Sequence, residues 1–132
     1  MALEEKVQSV SRRAPVLVEP DATLRAAART MWLESVGALV VGDEGNALGV
    51  LSERDLVAEL ARGGDPDVVT AREAMTGHLV ATRFEDPLHE AAYQMLDNAI
   101  RHVPVVDAYG RVVGMVSIRD LLRPILLDGM RG

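Results

Sequence analysis

The residues with the greatest chemical potential occur twice. Gly49-Val50-Leu51-Ser52-Glu53-Arg54-Asp55 and Gly114-Met115-Val116-Ser117-Ile118-Arg119-Asp120 share a glycine, two apolar residues and a Ser-x-Arg-Asp ending. Ser-x-x-Asp after an apolar run is a capping-box pattern: the hydroxyl accepts from the amide three residues on, and the acid reaches back. The same geometry suits a ligand. Amides at the positive end of a helix dipole attract phosphate. A serine hydroxyl can bind a phosphate oxygen, and an aspartate one turn along can take both hydroxyls of a ribose. Arg54 and Arg119 can offset phosphate charge or simply lie in water. Duplication leaves both readings open, because a copied half copies its caps as well.

Other chemistry is scarce. His78, His89 and His102 stand 11 and 13 residues apart, which is no ligand spacing on a helix. The chain has no cysteine, so disulfides, thiolate metal sites and a cysteine nucleophile are excluded together. Lys6 is the single lysine, leaving almost no candidate for a Schiff base or a phosphate grip. Neither a Gly-x-Ser-x-Gly elbow nor a Gly-x-x-x-x-Gly-Lys loop occurs. These observations point away from an enzyme, from a metal site and from a resident cofactor.

The elements that position the two segments are themselves repeated. At a shift of 64 residues, Val16, Leu24, Ala27, Ala28, Met31 and Val41 fall on Val80, Leu88, Ala91, Ala92, Met95 and Val105. At a shift of 65, Gly45, Gly49, Ser52, Arg54, Asp55 and Leu56 fall on Gly110, Gly114, Ser117, Arg119, Asp120 and Leu121. The extra residue lies between Val41 and Gly45, in a stretch that reads as a turn, where insertions are tolerated. Two copies of this length are too few for a solenoid. The expected architecture is two similar halves packed about a pseudo-twofold axis.

Each half alternates strand and helix periods. Pro15–Val18 reads as a short strand, Asp21-Ala22-Thr23 offers helix caps, and Leu24, Ala27, Ala28, Met31 and Trp32 recur at helical spacing. Ala38–Val41 and Ala47–Leu51 read as strands around the turn. Ser52 opens a helix bearing Leu56, Val57 and Leu60, which Gly63-Gly64 ends. The second half repeats this with Leu79–Thr82, Pro87–Asn98, Val103–Val106, Val112–Val116 and Ser117–Leu127. There Asp86 is expected as a cap before Pro87, and Pro124 is expected to end or kink the last helix around Arg123. Residues 2–10 and 69–75 read as corresponding short helices leading into each half. Gly63-Gly64-Asp65-Pro66-Asp67 reads as a linker too short to let the halves wander.

Composition agrees with a folded chain. Of 132 residues, 48% are hydrophobic and 26% charged, enough to build a core. No apolar stretch approaches the ~18 residues that span a membrane. A net charge of −6 argues against nucleic acid as the main partner. A soluble, cytoplasmic protein is expected.

A Gly-φ-φ-Ser-x-Arg-Asp segment (φ apolar) after a strand–helix–strand–strand unit resembles the cystathionine-β-synthase (CBS) domain, found in tandem pairs. The resemblance covers residues 7–62 and 71–127. It is closest in the second half, through Ile100-Arg101-His102-Val103-Pro104-Val105-Val106-Asp107, Gly110, the Gly114–Asp120 segment, and Ala74-Met75-Thr76 ahead of the first strand. It implies an α/β (α+β) fold of two tandem β-α-β-β-α repeats about a pseudo-twofold axis, with two clefts between the halves. Many such pairs bind an adenosine-containing ligand there: AMP, ADP, ATP or S-adenosylmethionine. The resemblance assigns Asp55 and Asp120 to ribose, Ser52 and Ser117 to the phosphate side, and Arg54 and Arg119 to a varying role. It places one adenine slot along Val16, Leu17 and Val18 with Ala38, Leu39 and Val40, and the other along Val80, Ala81 and Thr82 with His102, Val103 and Pro104. The first half departs from the pattern at Val40, where the second has Pro104. Its lead-in, Val10-Ser11-Arg12-Arg13, lacks Met-Thr.

These readings converge on a stand-alone regulatory module that senses an adenosine ligand and signals through an effector protein or its own oligomer. The alternative is a ligand-free interaction scaffold. Apolar helix faces at Leu24–Trp32, Leu88–Leu96 and Leu121–Leu127 exceed what one small core requires, so a homodimer is expected. An adenine-stacking role for Trp32 is a lesser alternative to core or dimer packing.

Overall fold

The computed structural model describes residues 2–11, 13–77 and 80–131. Arg12, His78 and Leu79 lie outside the described residues. The chain forms two compact units, one of Pro15–Leu79 and one combining Met1–Ala14 with Val80–Gly132. The first is called contiguous here and the second composite.

In the contiguous unit, β1 (Leu17–Val18) lies parallel to β2 (Ala38–Asp43), which pairs antiparallel with β3 (Asn46–Ser52). Helix α1 (Leu24–Glu34) starts where the Thr23 hydroxyl accepts from Ala26 N at 3.2 Å, and it buries Leu24, Ala27 and Met31. Helix α2 (Glu53–Ala61) follows β3 directly. Gly63, at φ +84°, and Gly64 close it: their amides donate to Leu60 O at 3.1 Å and Glu59 O at 2.8 Å, a Schellman ending. The short helix α3 (Ala71–Ala74) is capped by a reciprocal Thr70–Glu73 box and places Ala71 in the core beside Leu24, Leu39 and Leu51. The Arg25 guanidinium pairs with Asp67, fastening the linker to α1.

The composite unit begins with two 3-10 turns, Ala2–Glu4 and Val7–Ser9. They lie against α4 (Leu88–Asn98), the antiparallel hairpin of β4 (His102–Val106) and β5 (Val112–Ser117), and α5 (Ile118–Arg131). Val7 joins Leu88, Met95, Val103 and Val116 in the core. Backbone bonds Val7 N–Asp86 O (2.8 Å), Gln8 N–Phe84 O (3.1 Å) and Leu88 N–Glu5 O (2.8 Å) secure the segment.

The two short lead-in segments are therefore exchanged. Residues 2–11 pack on the second repeat and residues 69–76 on the first, with Val7 and Ala71 at equivalent positions of the 64-residue shift. The motif glycines make this possible. A Cβ on Gly49 would stand 2.5 Å from Thr76 O and 2.8 Å from Met75 Sδ; one on Gly114 would stand 3.2 Å from Ser11 Oγ. Ser11 is itself buried and donates to Met115 O at 2.9 Å.

Several expectations are corrected. The strand expected at Leu79–Thr82 is reduced, in its described part, to a single parallel bridge between Thr82 and Val105. Asp86 does not cap α4: its carboxylate accepts from Thr82 Oγ1 (3.1 Å) and Arg83 N (3.0 Å), closing the preceding turn, and Pro87 occupies the cap position. Pro124 does not end α5, which runs on to Arg131. Leu121 and Pro124, one turn apart, are both buried. Trp32 is 84% exposed and so lies outside the core. Helix α2 buries no residue fully; Val57 and Leu60 face outward. The one-residue change of shift falls where both hairpins carry a bulge, at Val41/Gly42 and Val105/Val106. In the second hairpin's turn Asp107 loses solvation. Bonds from the amides of Arg111 and Tyr109 and from the Arg111 side chain nevertheless hold its pKa below the ordinary aspartate value.

Gly49→Ala is expected to destabilise the protein by roughly 1–3 kcal/mol, because backbone must move to admit the methyl group. Gly114→Ala should lose less, since a serine side chain can give way. Urea unfolding of both variants measures the difference. Equal losses would show that the close approach to Thr76 is not what demands the glycine.

Candidate functional site

Both duplicated segments fold into the strand-to-helix junction that their pattern encodes. At Ser52, the amide and hydroxyl donate to Asp55 Oδ2 at 2.8 and 3.0 Å, and Asp55 N donates back to Ser52 Oγ at 3.3 Å. At Ser117 the same three bonds to and from Asp120 measure 2.7, 3.1 and 3.3 Å. The next amide is also spent: Glu53 N donates to Gly37 O at 3.0 Å and Ile118 N to Arg101 O at 2.9 Å. Of each junction's first-turn amides, only that of Arg54 or Arg119 has no partner among the described residues. Because an ionised carboxylate only accepts, each serine's hydroxyl proton is committed to its aspartate. The oxygen without a partner among the described residues at each junction is Oδ1 of the aspartate, on a half-buried side chain next to an exposed arginine.

The hairpin register brings the strand residues to the same corner. In the composite unit Ser117 lies opposite His102, Val116 opposite Val103, and Met115 opposite Pro104. Beyond β4, Thr82 N donates to Pro104 O at 3.0 Å and Val106 N to Thr82 O at 2.8 Å. Val103, Pro104 and Thr82 are buried, while Val80, Ala81 and His102 are half-buried. In the contiguous unit Ser52 lies opposite Ala38, Leu51 opposite Leu39, and Val50 opposite Val40; Val40 N donates to Val16 O at 2.9 Å. Ala38, Leu39, Val40 and Val18 are buried. The structure thus gathers the candidate residues into two corners, one per unit. Sequence reasoning missed Asp86, which holds the Thr82 hydroxyl. The Thr82-x-x-x-Asp86 spacing carries that signal, but it competes with a capping role for the same acid.

Elsewhere the chemistry remains sparse. Among the described residues no group of three or more His, Asp or Glu side chains is arranged to hold a metal, and no helix is long and apolar enough to cross a membrane. A hollow of about 350 Å³ between the N-terminal turns and α5 is lined by Glu5, Ser9, Arg123 and Asp128 among others, and by no residue of either corner.

Two copies of one junction, each with its own hairpin, can be compared with known proteins. The CBS domain profile matches residues 7–62 and again 71–127. The chain belongs to the CBS domain family. A CBS domain protein from Pyrobaculum aerophilum, solved in complex with AMP, is similar at a TM-score of 0.83 and 33% identity, covering 96% of this chain and 99% of that one. The CBS domain pair of protein MJ0100, in complex with 5′-methylthioadenosine and S-adenosyl-L-methionine, is similar at a TM-score of 0.82 and 27% identity, over 91% and 98% of the two chains. An uncharacterized protein of Methanopyrus kandleri is 32% identical over 119 residues, which are 89% of this CBS pair and 61% of that protein. The pair therefore spans about three-fifths of that relative.

Ser52→Ala and Ser117→Ala are each expected to lower stability by about 1 kcal/mol through loss of the cap. The reading is a lower urea midpoint at unchanged slope. No change in either variant would show that the box does not hold the junction.

Proposed function

We propose that this CBS pair is a regulatory, non-catalytic module that senses an adenosine-containing ligand and passes the signal to a partner protein or through its own oligomer. The observation that carries the proposal is the composite corner, where a half-buried Asp120 keeps Oδ1 open beside Val80–Thr82 and His102–Pro104. Asp120 would take the ribose hydroxyls through Oδ1, and Ser117 would hold Asp120 in place. The open amide and side chain of Arg119 would meet phosphate. The contiguous corner, with Val16, Val18, Ala38, Leu39, Val40, Ser52, Arg54 and Asp55, would form a second site. The AMP complex of the Pyrobaculum aerophilum relative and the S-adenosylmethionine complex of MJ0100 support this ligand class.

A second reading has its own observation. Both boxes are closed without any ligand, so the pair can serve as a ligand-free scaffold whose Ser-x-x-Asp segments only cap helices.

The helices favour a homodimer under either reading. Helix α1 packs on α2 and α4 on α5, and their outer faces carry Trp32, Leu33 and Val57 in one unit and Leu96, Leu122 and Leu126 in the other. Exposed apolar faces of this kind are interaction surfaces. Light scattering at tens of micromolar is expected to give twice the chain mass; a monomer would leave these faces without a partner and overturn the dimer.

Thermal melts with AMP, ADP, ATP and S-adenosylmethionine separate the two functional readings. A ligand at 100 times its Kd should add about 2.7 kcal/mol. Asp120→Ala should weaken the ligand that binds by roughly 10- to 150-fold, the value of a charge-assisted hydrogen bond. Unchanged affinity in a folded variant would leave Asp120 as a cap and favour the scaffold.

A further inference from the structure

We infer that the hollow between the N-terminal turns and α5 binds a free amino acid with an aliphatic side chain. The site shares no residue with either corner and does not rest on the adenosine reading. Its volume of about 350 Å³ falls at the small end of the range for ligand sites. Charges of both signs line it. Glu5 lies between the two N-terminal turns, and Arg123 and Asp128 lie on α5. All three are exposed, and their side chains have no hydrogen-bond or ion-pair partner among the described residues, each other included. Opposite charges in one hollow that do not meet leave a gap for a molecule carrying both complements.

An α-amino acid carries a carboxylate and an ammonium on one carbon. The carboxylate suits the Arg123 fork, which can bond such a group through two parallel N–H donors. The ammonium has three donors and no acceptor, and suits Glu5, Asp128 and Ser9 Oγ. Ser9 already gives its proton to Lys6 O at 2.7 Å, so its oxygen is left to accept. Ala2, Val10, Pro124 and Leu127 complete the lining. Their side chains offer no polar partner, so a polar substituent against them would lose its hydrogen bonds to water. Copying does not account for this hollow. At the shifts that relate the repeats, Glu5 corresponds to Val69, Ser9 to Glu73, Arg123 to Ala58 and Asp128 to Gly63. Helix α2 has ended at Ala61, whereas α5 continues to Arg131. A ligand in the hollow joins residues 2–11 to α5 and adds to the backbone bonds that hold that segment. Binding therefore stabilises the composite unit.

Thermal melts and calorimetry on the intact protein test the inference, with L-valine, L-leucine and L-methionine as probes. A ligand of about nine heavy atoms in an open site is expected to bind at roughly millimolar strength. At about ten times that concentration it should raise the melting temperature. The deaminated and decarboxylated forms of the amino acid that binds, isocaproate and isoamylamine for leucine, should each lose at least about tenfold in affinity. Arg123→Gln and Asp128→Asn should each cost a similar factor, with melting curves confirming a folded protein. Arg29→Gln, the same change on an exposed arginine of α1, should bind as the wild type does. Should Arg123→Gln fail to fold, the two analogues carry the test, since they need no variant. No melting shift with any of the three amino acids overturns the inference. So does an analogue that binds as well as its parent, or an Arg123→Gln variant within twofold of wild type.

Discussion

One carboxylate oxygen holds the strand-to-helix junction of each unit. Oδ2 of Asp55 or Asp120 accepts both the amide and the hydroxyl of the serine three residues before it, and that serine accepts the aspartate's own amide in return. Because the next amide is tied to the carbonyl just ahead of the hairpin, helix and hairpin are locked at one angle. Everything proposed for the site depends on this lock. It fixes the direction of the remaining carboxylate oxygen, and it leaves a single first-turn amide able to meet an anion. The same residues thus serve stability whether or not a ligand arrives, which is why their duplication alone does not decide between sensor and scaffold.

Much of this was legible in the sequence, for identifiable reasons. The repeat is visible because core positions such as Leu24 and Leu88, or Met31 and Met95, were copied with their spacing, and spacing determines which face of a helix is buried. The boxes are legible because capping is local: all the bonding partners lie within four residues. Pro104 could be read as a missing donor from its chemistry alone, though the rungs it keeps with Thr82 needed the register.

The parts that were not legible depend on partners distant in sequence. Residues 2–10 and 69–75 are recognisable as matching short segments, but nothing in them says that each packs on the other repeat. That is decided by the fit of Ser11 at Gly114 and of Thr76 at Gly49, contacts across some hundred and some thirty residues. Trp32 sits at core spacing yet faces outward, because periodicity assigns a stripe and not its width. Asp86 stood one residue before a helix-opening proline, where a capping role is the natural expectation; the turn at Thr82 and Arg83 competes for the same carboxylate and wins. Pro124 lies on the buried side of α5 and not at its end.

The exchange of lead-in segments also orders the birth of the molecule. A growing chain emerges N-terminus first, and domains close as soon as their pieces are available. The contiguous unit has all its parts once residue 79 has emerged, and every contact in it is made within one 65-residue stretch. The composite unit has no such freedom: Val7 must wait for Leu88, Val103 and Val116 before it can be covered. During synthesis residues 2–11 are therefore made before both units yet are among the last of their parts to be buried, a nascent apolar hook held in reserve while the contiguous unit folds behind it. Closing that long loop adds an entropy cost that grows only slowly with its length, yet contacts so distant in sequence slow folding, so the composite unit is expected to close after the contiguous one.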